Sequence, residues 1–119
     1  MNTLLTGACL KRAVLLRRRK IIRLAGRIGI ESVWLVGSVA RGEATRTSDI
    51  DFYVESDDPL TLDLLRGWLT MFGRPVDIIH PQTLLDRGEE FAGDVTGDAI
   101  AIHKDGTKPP NPFAATSKD

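Results

Sequence analysis

The stretch that most limits what this chain can become is Val33–Val54, VWLVGSVARGEATRTSDIDFYV. An apolar run, Val33 to Val36, stops at Gly37-Ser38, and a second apolar run, Ile50 to Val54, has Asp49 and Asp51 at its start. Ten residues separate Ser38 from Asp49. On a strand, residues two apart share a face. Asp49 and Asp51 therefore stand side by side, while Ile50, Phe52 and Val54 turn to the opposite face and can enter a core. Two carboxylates so close repel, and a purely structural sheet gains nothing from them. A divalent cation removes the conflict, and Mg²⁺ is commonly held by one or two carboxylates together with substrate phosphates.

Gly37-Ser38 supplies the complementary half of such a site. Glycine lets backbone amides approach a ligand closely. Ser38 is expected to cap a short helical turn over Val39–Gly42, whose free N–H groups suit phosphate oxygens. A third carboxylate, Asp77, lies in the short apolar run RPVDIIH, Arg74–His80. If that run pairs beside the Asp49–Asp51 strand, three carboxylates surround one or two Mg²⁺ ions. Those are the parts needed for in-line attack on a nucleotide phosphate.

Gly37-Ser38, ten residues, Asp49-x-Asp51 and then Asp77 in an apolar strand resemble the nucleotidyltransferase fold of the DNA polymerase β superfamily. The wording GSVARGEATRTSDID is most similar to the minimal nucleotidyltransferases (MNT), which are often antitoxins paired with HEPN-domain toxins. The resemblance covers roughly residues 32–80. It implies an α/β (α+β) domain with a small mixed sheet packed against helices. It further implies a Mg²⁺-dependent enzyme, using two ions in the family's manner, that transfers NMP from an NTP, with ATP favoured. In that scheme Asp49, Asp51 and Asp77 hold metal and carry catalysis, and Gly37 and Ser38 hold the β- and γ-phosphates. The acceptor would be a tyrosine hydroxyl of a HEPN ribonuclease toxin, silenced by AMPylation. Two other readings stay open: a stand-alone transferase of the aminoglycoside type, and an antitoxin that acts by occlusion alone.

At 119 residues the chain is one domain, expected to span 1–106. A Pro-rich polar stretch from Thr107 to Asp119 reads as a mobile tail, with Phe113 as an anchor for a partner. No room remains for a second substrate domain, which favours an acceptor carried by another protein. Net charge is zero, yet the first 30 residues hold eight basic side chains and no acid, leaving eight basic and sixteen acidic residues in the remainder. The basic segment suits a solvated helix face, an acidic partner, or phosphate groups; direct nucleic-acid binding is not the expected use. One cysteine, Cys9, and no transmembrane span are consistent with a cytoplasmic protein.

In order, the apolar rhythm predicts a helix over Leu10–Ile28, in which Arg17–Lys20 brings one arginine near the apolar face, met by a snorkelling stem or by a local break. A central strand is expected over Ile30–Val36 and a polar loop over Arg41–Ser48. In that loop Arg41 and Arg46 are candidates for nucleotide phosphate or partner contact, and Ser48 for a brace before Asp49 or a nucleotide contact. Asp57-Asp58-Pro59 predicts a helix start, and Leu62, Leu65, Leu69 and Phe72 its apolar stripe. Because that helix joins two strands, they should be parallel. A short interrupted helix over Thr83–Phe91 and a last strand over Asp98–His103 complete the reading.

Overall fold

The computed structural model describes residues 5–103 and 106–114. Four strands form one mixed sheet: β1 (Val33–Val36), β2 (Ile50–Val54), β3 (Val76–Ile79) and β4 (Ile100–Ala101), in the order β3-β2-β1-β4. β1 runs antiparallel to β2 and to β4, and β2 runs parallel to β3. The parallel pair is the one expected from the intervening helix. β1 is central and buried at all four positions, which explains why its sequence is apolar throughout.

The strand alternation divides the core in two. Val33, Leu35, Ile50, Phe52, Val54, Val76 and Ile78 pack on one face with Leu10, Val14, Ile21, Leu62 and Leu65. Trp34, Val36, Tyr53 and Ile79 pack on the other with Leu84, Ala92 and Val95. Asp51 and Asp77 follow the same period-two rule and belong to this second face.

The N-terminal helix is two helices, α1 (Gly7–Leu16) and α2 (Arg18–Gly26), broken at Arg17. In an unbroken helix the rhythm Leu10, Val14, Ile21 would turn Arg17 or Arg18 inward. The break falls at that point, and Arg17, Arg18, Arg19 and Lys20 are all exposed. A four-residue helix, α3 (Gly37–Ala40), follows β1 directly. Its N-cap is Val36 and no side chain caps it, so Ser38 lies within the turn rather than capping it. The expected turn over Val39–Gly42 therefore starts two residues earlier.

α4 (Pro59–Trp68) begins as its sequence predicts: Asp58 accepts from the Thr61 amide at 3.0 Å, with Pro59 in the first turn. Its last turn tightens into a 3₁₀ helix, Leu69–Phe72. Asp57 serves a different helix. It accepts from the Gln82 amide at 2.9 Å and pairs with His80 Nδ1 at 2.6 Å, fixing the start of α5 (Pro81–Arg87). These bonds, the one from His80 first, hold the Asp57 carboxyl below the ordinary carboxylate range.

α6 (Glu89–Asp98) extends well past the expected end at Phe91. Glu89 and Glu90 in its first turn oppose the positive end of the helix dipole. Buried Ala92 and Val95 hold it to the sheet despite Gly93 and Gly97. The last strand is only two residues long. Beyond it, Trp34 Nε1 donates to the Thr107 carbonyl at 2.6 Å, and Lys108 Nζ donates to Gly97 and Ala99 carbonyls at 2.8 Å. Phe113, expected to reach a partner, packs against the second core cluster of this chain. The described part of the expected mobile tail thus lies along the body; residues 115–119 are outside the described residues.

Candidate active site

The site forms where β1 ends and β2 begins. Val36 is the cross-strand partner of Asp51, and Asp51 is in register with Asp77 on β3. The chain leaves β1 through Gly37, whose φ of +72° is a conformation that side-chain-bearing residues rarely adopt. A Cβ on Gly37 would sit 2.5 Å from Asp51 Oδ2. Glycine therefore does two things here: it permits the turn, and it leaves the space that the Asp51 carboxylate occupies.

Asp51 is partly buried, and its carboxyl is pushed up to about 6. Burial is the largest cause, followed by the negative charges of Asp77 and then Asp49, against which Arg41 and Arg87 pull the other way. Asp49 and Asp77 are both exposed. Among the described residues, no three His, Cys, Asp or Glu side chains converge closely enough to hold a metal ion by themselves. Where the sequence leads one to expect three carboxylates around one or two Mg²⁺ ions, the structure has an Asp51–Asp77 pair in register, with Asp49 two residues before Asp51. That donor set is hard, anionic and electrostatically strained, which suits a divalent cation completing its shell with substrate oxygens.

Beside Asp51 opens a cavity of about 340 Å³ lined by Gly37, Ser38, Arg41, Asp51, Ile79, Phe91, Asp94, Val95 and Asp98. Four of the residues singled out from sequence meet here: Gly37, Ser38, Arg41 and Asp51. Arg41 donates from Nε to Glu43 and from Nη1 to Asp98, both at 2.9 Å. These two carboxylates raise its pKa further, so it remains a cation. Arg46 is exposed on the loop. The Ser48 hydroxyl accepts from the Thr45 amide at 2.8 Å, bracing the turn that leads to Asp49.

The rest of the cavity's lining around Asp51 comes mainly from α6. Phe91, Asp94 and Asp98 were not singled out from sequence, because the reading ended that helix at Phe91. Arg87 lies 4.9 Å above the Phe91 ring, a cation–π contact at the cavity's edge. Arg74 was also missed; it is buried and donates from Nη1 to the Thr45 and Ser48 carbonyls at 2.7 and 2.9 Å. No local sequence signal distinguishes it from an ordinary residue at a strand's start.

Comparisons with known proteins identify the family to which this fold belongs. The nucleotidyltransferase domain family matches residues 18–103. A solved structure described as a minimal nucleotidyltransferase is 30% identical, covers 76% of this chain and 93% of its own, and superposes with a TM-score of 0.61. The chain belongs to the nucleotidyltransferase domain family and is a nucleotidyltransferase of the minimal type. Two further structures share the fold. One is a toxin–antitoxin complex with AMP-PNP, 23% identical, covering 84% of this chain and 82% of that one, with a TM-score of 0.59. The other is a complex of a tri-AMPylated Shewanella oneidensis HEPN toxin with an MNT antitoxin, 21% identical, covering 77% and 71%, with a TM-score of 0.53. No curated protein matches the sequence. No helix among the described residues is long and apolar enough to cross a membrane.

Proposed function

We propose that this chain is the antitoxin of a toxin–antitoxin pair, a Mg²⁺-dependent enzyme that transfers AMP from ATP to a tyrosine hydroxyl of a HEPN toxin in the cytoplasm. The observation that carries the reading is Asp51, in register with Asp77 on the neighbouring strand and set beside Gly37 in a cavity that Ser38 and Arg41 also line. The neighbours bound to AMP-PNP or to an AMPylated HEPN toxin support the choice of nucleotide and acceptor.

In this reading Asp49, Asp51 and Asp77 hold the metal. Bound there, it would supply positive charge to the triphosphate and to the oxygens of the transferring phosphate. Gly37 leaves room for the phosphates, Ser38 offers a hydroxyl, and Arg41 exchanges a carboxylate partner for phosphate oxygen. Arg46 remains a candidate for outer phosphate or partner contact, and Ser48 acts through the turn it braces. Asp77, the more exposed of the paired carboxylates, takes the acceptor's proton as the tyrosine oxygen bonds the α-phosphorus and pyrophosphate leaves. Rate enhancement comes from alignment and fixed charge.

The test is intact-mass analysis of a co-expressed HEPN partner, together with transfer of label from [α-³²P]ATP. The expected result is a toxin carrying one or more AMP units with the wild-type chain and none with Asp49→Ala/Asp51→Ala. Efficient labelling of aminoglycosides by the isolated chain, with no labelling of the toxin, would instead make it a stand-alone enzyme. A neutralised but unmodified toxin would make it an occluding antitoxin.

The basic helices offer the docking surface for that partner. A groove of about 490 Å³ runs over Ala8, Lys11, Arg12, Leu15, Leu16, Arg18 and Arg19, and Leu16 is 72% exposed. Apolar residues rimmed by cations suit an acidic, amphipathic partner segment, within an interface of at least roughly 1,000 Å². Reversing Arg17, Arg18 and Arg19 to Glu is expected to weaken co-purification by about tenfold or more, since repulsion is added to lost attraction. Unchanged partner affinity in that variant would remove the basic face from the interface.

A further inference from the structure

Arg74 is the only arginine, lysine or carboxylate buried among the described residues, with 4% of its surface exposed. A guanidinium is always charged, and taking it out of water is costly unless its donors are met. Here backbone carbonyls accept from both terminal nitrogens. Nη1 donates to Thr45 O at 2.7 Å and Ser48 O at 2.9 Å, and Nη2 donates to Leu5 O. One planar fork therefore ties together three separate segments: the residues before α1, the loop 41–49, and the start of β3.

The position of these carbonyls gives the contact its consequence. Ser48 O belongs to the peptide unit that leads into Asp49, so holding it sets the direction in which the chain enters β2. Thr45 O also receives the Ser48 amide at 3.3 Å, so the same carbonyl closes the turn and takes the guanidinium. The N-terminal segment grips the loop a second time, through the Gly7 amide to Ala44 O at 2.8 Å. On the other side, Pro75 O, one residue after Arg74, accepts from the Ile50 amide at 3.0 Å. Arg74 thus sits just before β3, which carries Asp77, and holds the loop that leads into β2, which carries Asp51.

We infer that Arg74 is a positioning residue for nucleotidyl transfer: its buried guanidinium clamps residues 5–7 and the loop 41–49 so that Asp49 and Asp51 are presented in fixed positions. The clamp itself is a property of the fold; its effect on transfer rests on the function proposed above. Lysine is a poor substitute. Its ammonium is one compact point with three donors, and it cannot span carbonyls on separate segments as a planar fork with five donors does.

The experiment compares the full-length wild type with Arg74→Lys and Arg74→Gln by hydrogen exchange, and measures transfer as a function of Mg²⁺ concentration. In Arg74→Lys, amides of residues 44–50 are expected to exchange at least about tenfold faster, while those of β1 and α4 keep their protection. Transfer should fall by roughly ten- to a hundredfold, because small misplacements of aligned groups are costly. The Mg²⁺ concentration for half-maximal rate should rise. Arg74→Gln should show the same pattern, more strongly. Unchanged exchange of 44–50 in both variants would overturn the inference. So would equal loosening or loss of the whole fold in Arg74→Lys, since the arginine would then be a general prop. Selective loosening of the loop in a chain with no transferase activity even as wild type would leave the clamp standing and remove the proposed function.

Discussion

Asp51→Asn is expected to abolish nucleotidyl transfer and at the same time to raise the melting temperature at neutral pH. Burial, then Asp77, then Asp49 push the Asp51 carboxyl up to about 6, from an ordinary value near 4. A carboxyl raised on folding is held more tightly in its protonated form by the folded state. Its favourable contribution is therefore complete below about pH 4 and is lost as pH rises through about 6. At pH 7.5 the ionised Asp51 costs on the order of 1–2 kcal/mol once solvent screening is allowed for. Asparagine is neutral at every pH, so the variant should melt higher by about 5 °C at pH 7.5 and scarcely differ near pH 4. Transfer should fall by at least about a hundredfold, as expected when a group that anchors charge at the reacting phosphate is removed. Mg²⁺ should raise the melting temperature of the wild type and leave Asp51→Asn almost unmoved. Paired thermal melts at the two pH values, with and without Mg²⁺, check the electrostatics independently of any partner. An active Asp51→Asn chain with an unchanged melting profile would contradict both halves.

That the site-bearing strands could be read from sequence follows from how local their signals are. The alternation of Asp49, Ile50, Asp51, Phe52 and Val54 fixes both element and face, and β2 runs from Ile50 to Val54 as expected. Asp58-Pro59 carries its own helix start, and the helix between β2 and β3 requires their parallel pairing. The resemblance to minimal nucleotidyltransferases rests on the same residues. What could not be read depends on contacts distant in sequence. The glycines of EEFAGDVTGD argue against a helix, and only burial of Ala92 and Val95 against the sheet overrides them. With that helix cut short, Phe91, Asp94 and Asp98 could not be assigned to the cavity. Arg74 looks like the polar edge of a strand until the loop and the N-terminal segment close over it. The apolar run Val33–Val36 marks Trp34 as a core residue, but nothing local points to its bond to Thr107, 73 residues away.

Gly37 carries the second large effect, and the structure changes its expected form. From sequence, a side chain at Gly37 should obstruct phosphate and impair ATP binding before it impairs folding. The structure couples the two, because the added Cβ meets Asp51 Oδ2 at 2.5 Å and stands at a φ of +72°. Gly37→Ala should therefore cost roughly 1–2 kcal/mol of stability from backbone strain alone. It should also drive the Asp51 carboxylate from its position, weakening Mg²⁺-ATP binding by more than about tenfold. Gly37→Val should be worse. Ser38→Ala, which keeps the backbone and loses one hydroxyl, should cost about 1 kcal/mol of binding. A double-mutant cycle separates strain from collision. In an Asp51→Ala background the colliding oxygen is gone, and the remaining close contact of a Cβ at residue 37, to Asp51 Cβ, is an ordinary 3.4 Å. Gly37→Ala should then destabilise less than it does in the wild type, by the part due to collision, while ATP binding stays poor because Asp51 is missing. Equal stability costs in both backgrounds would assign the whole effect to backbone strain. Equal ATP affinity of the wild type and Gly37→Ala by calorimetry would mean that the phosphates do not lie over Gly37.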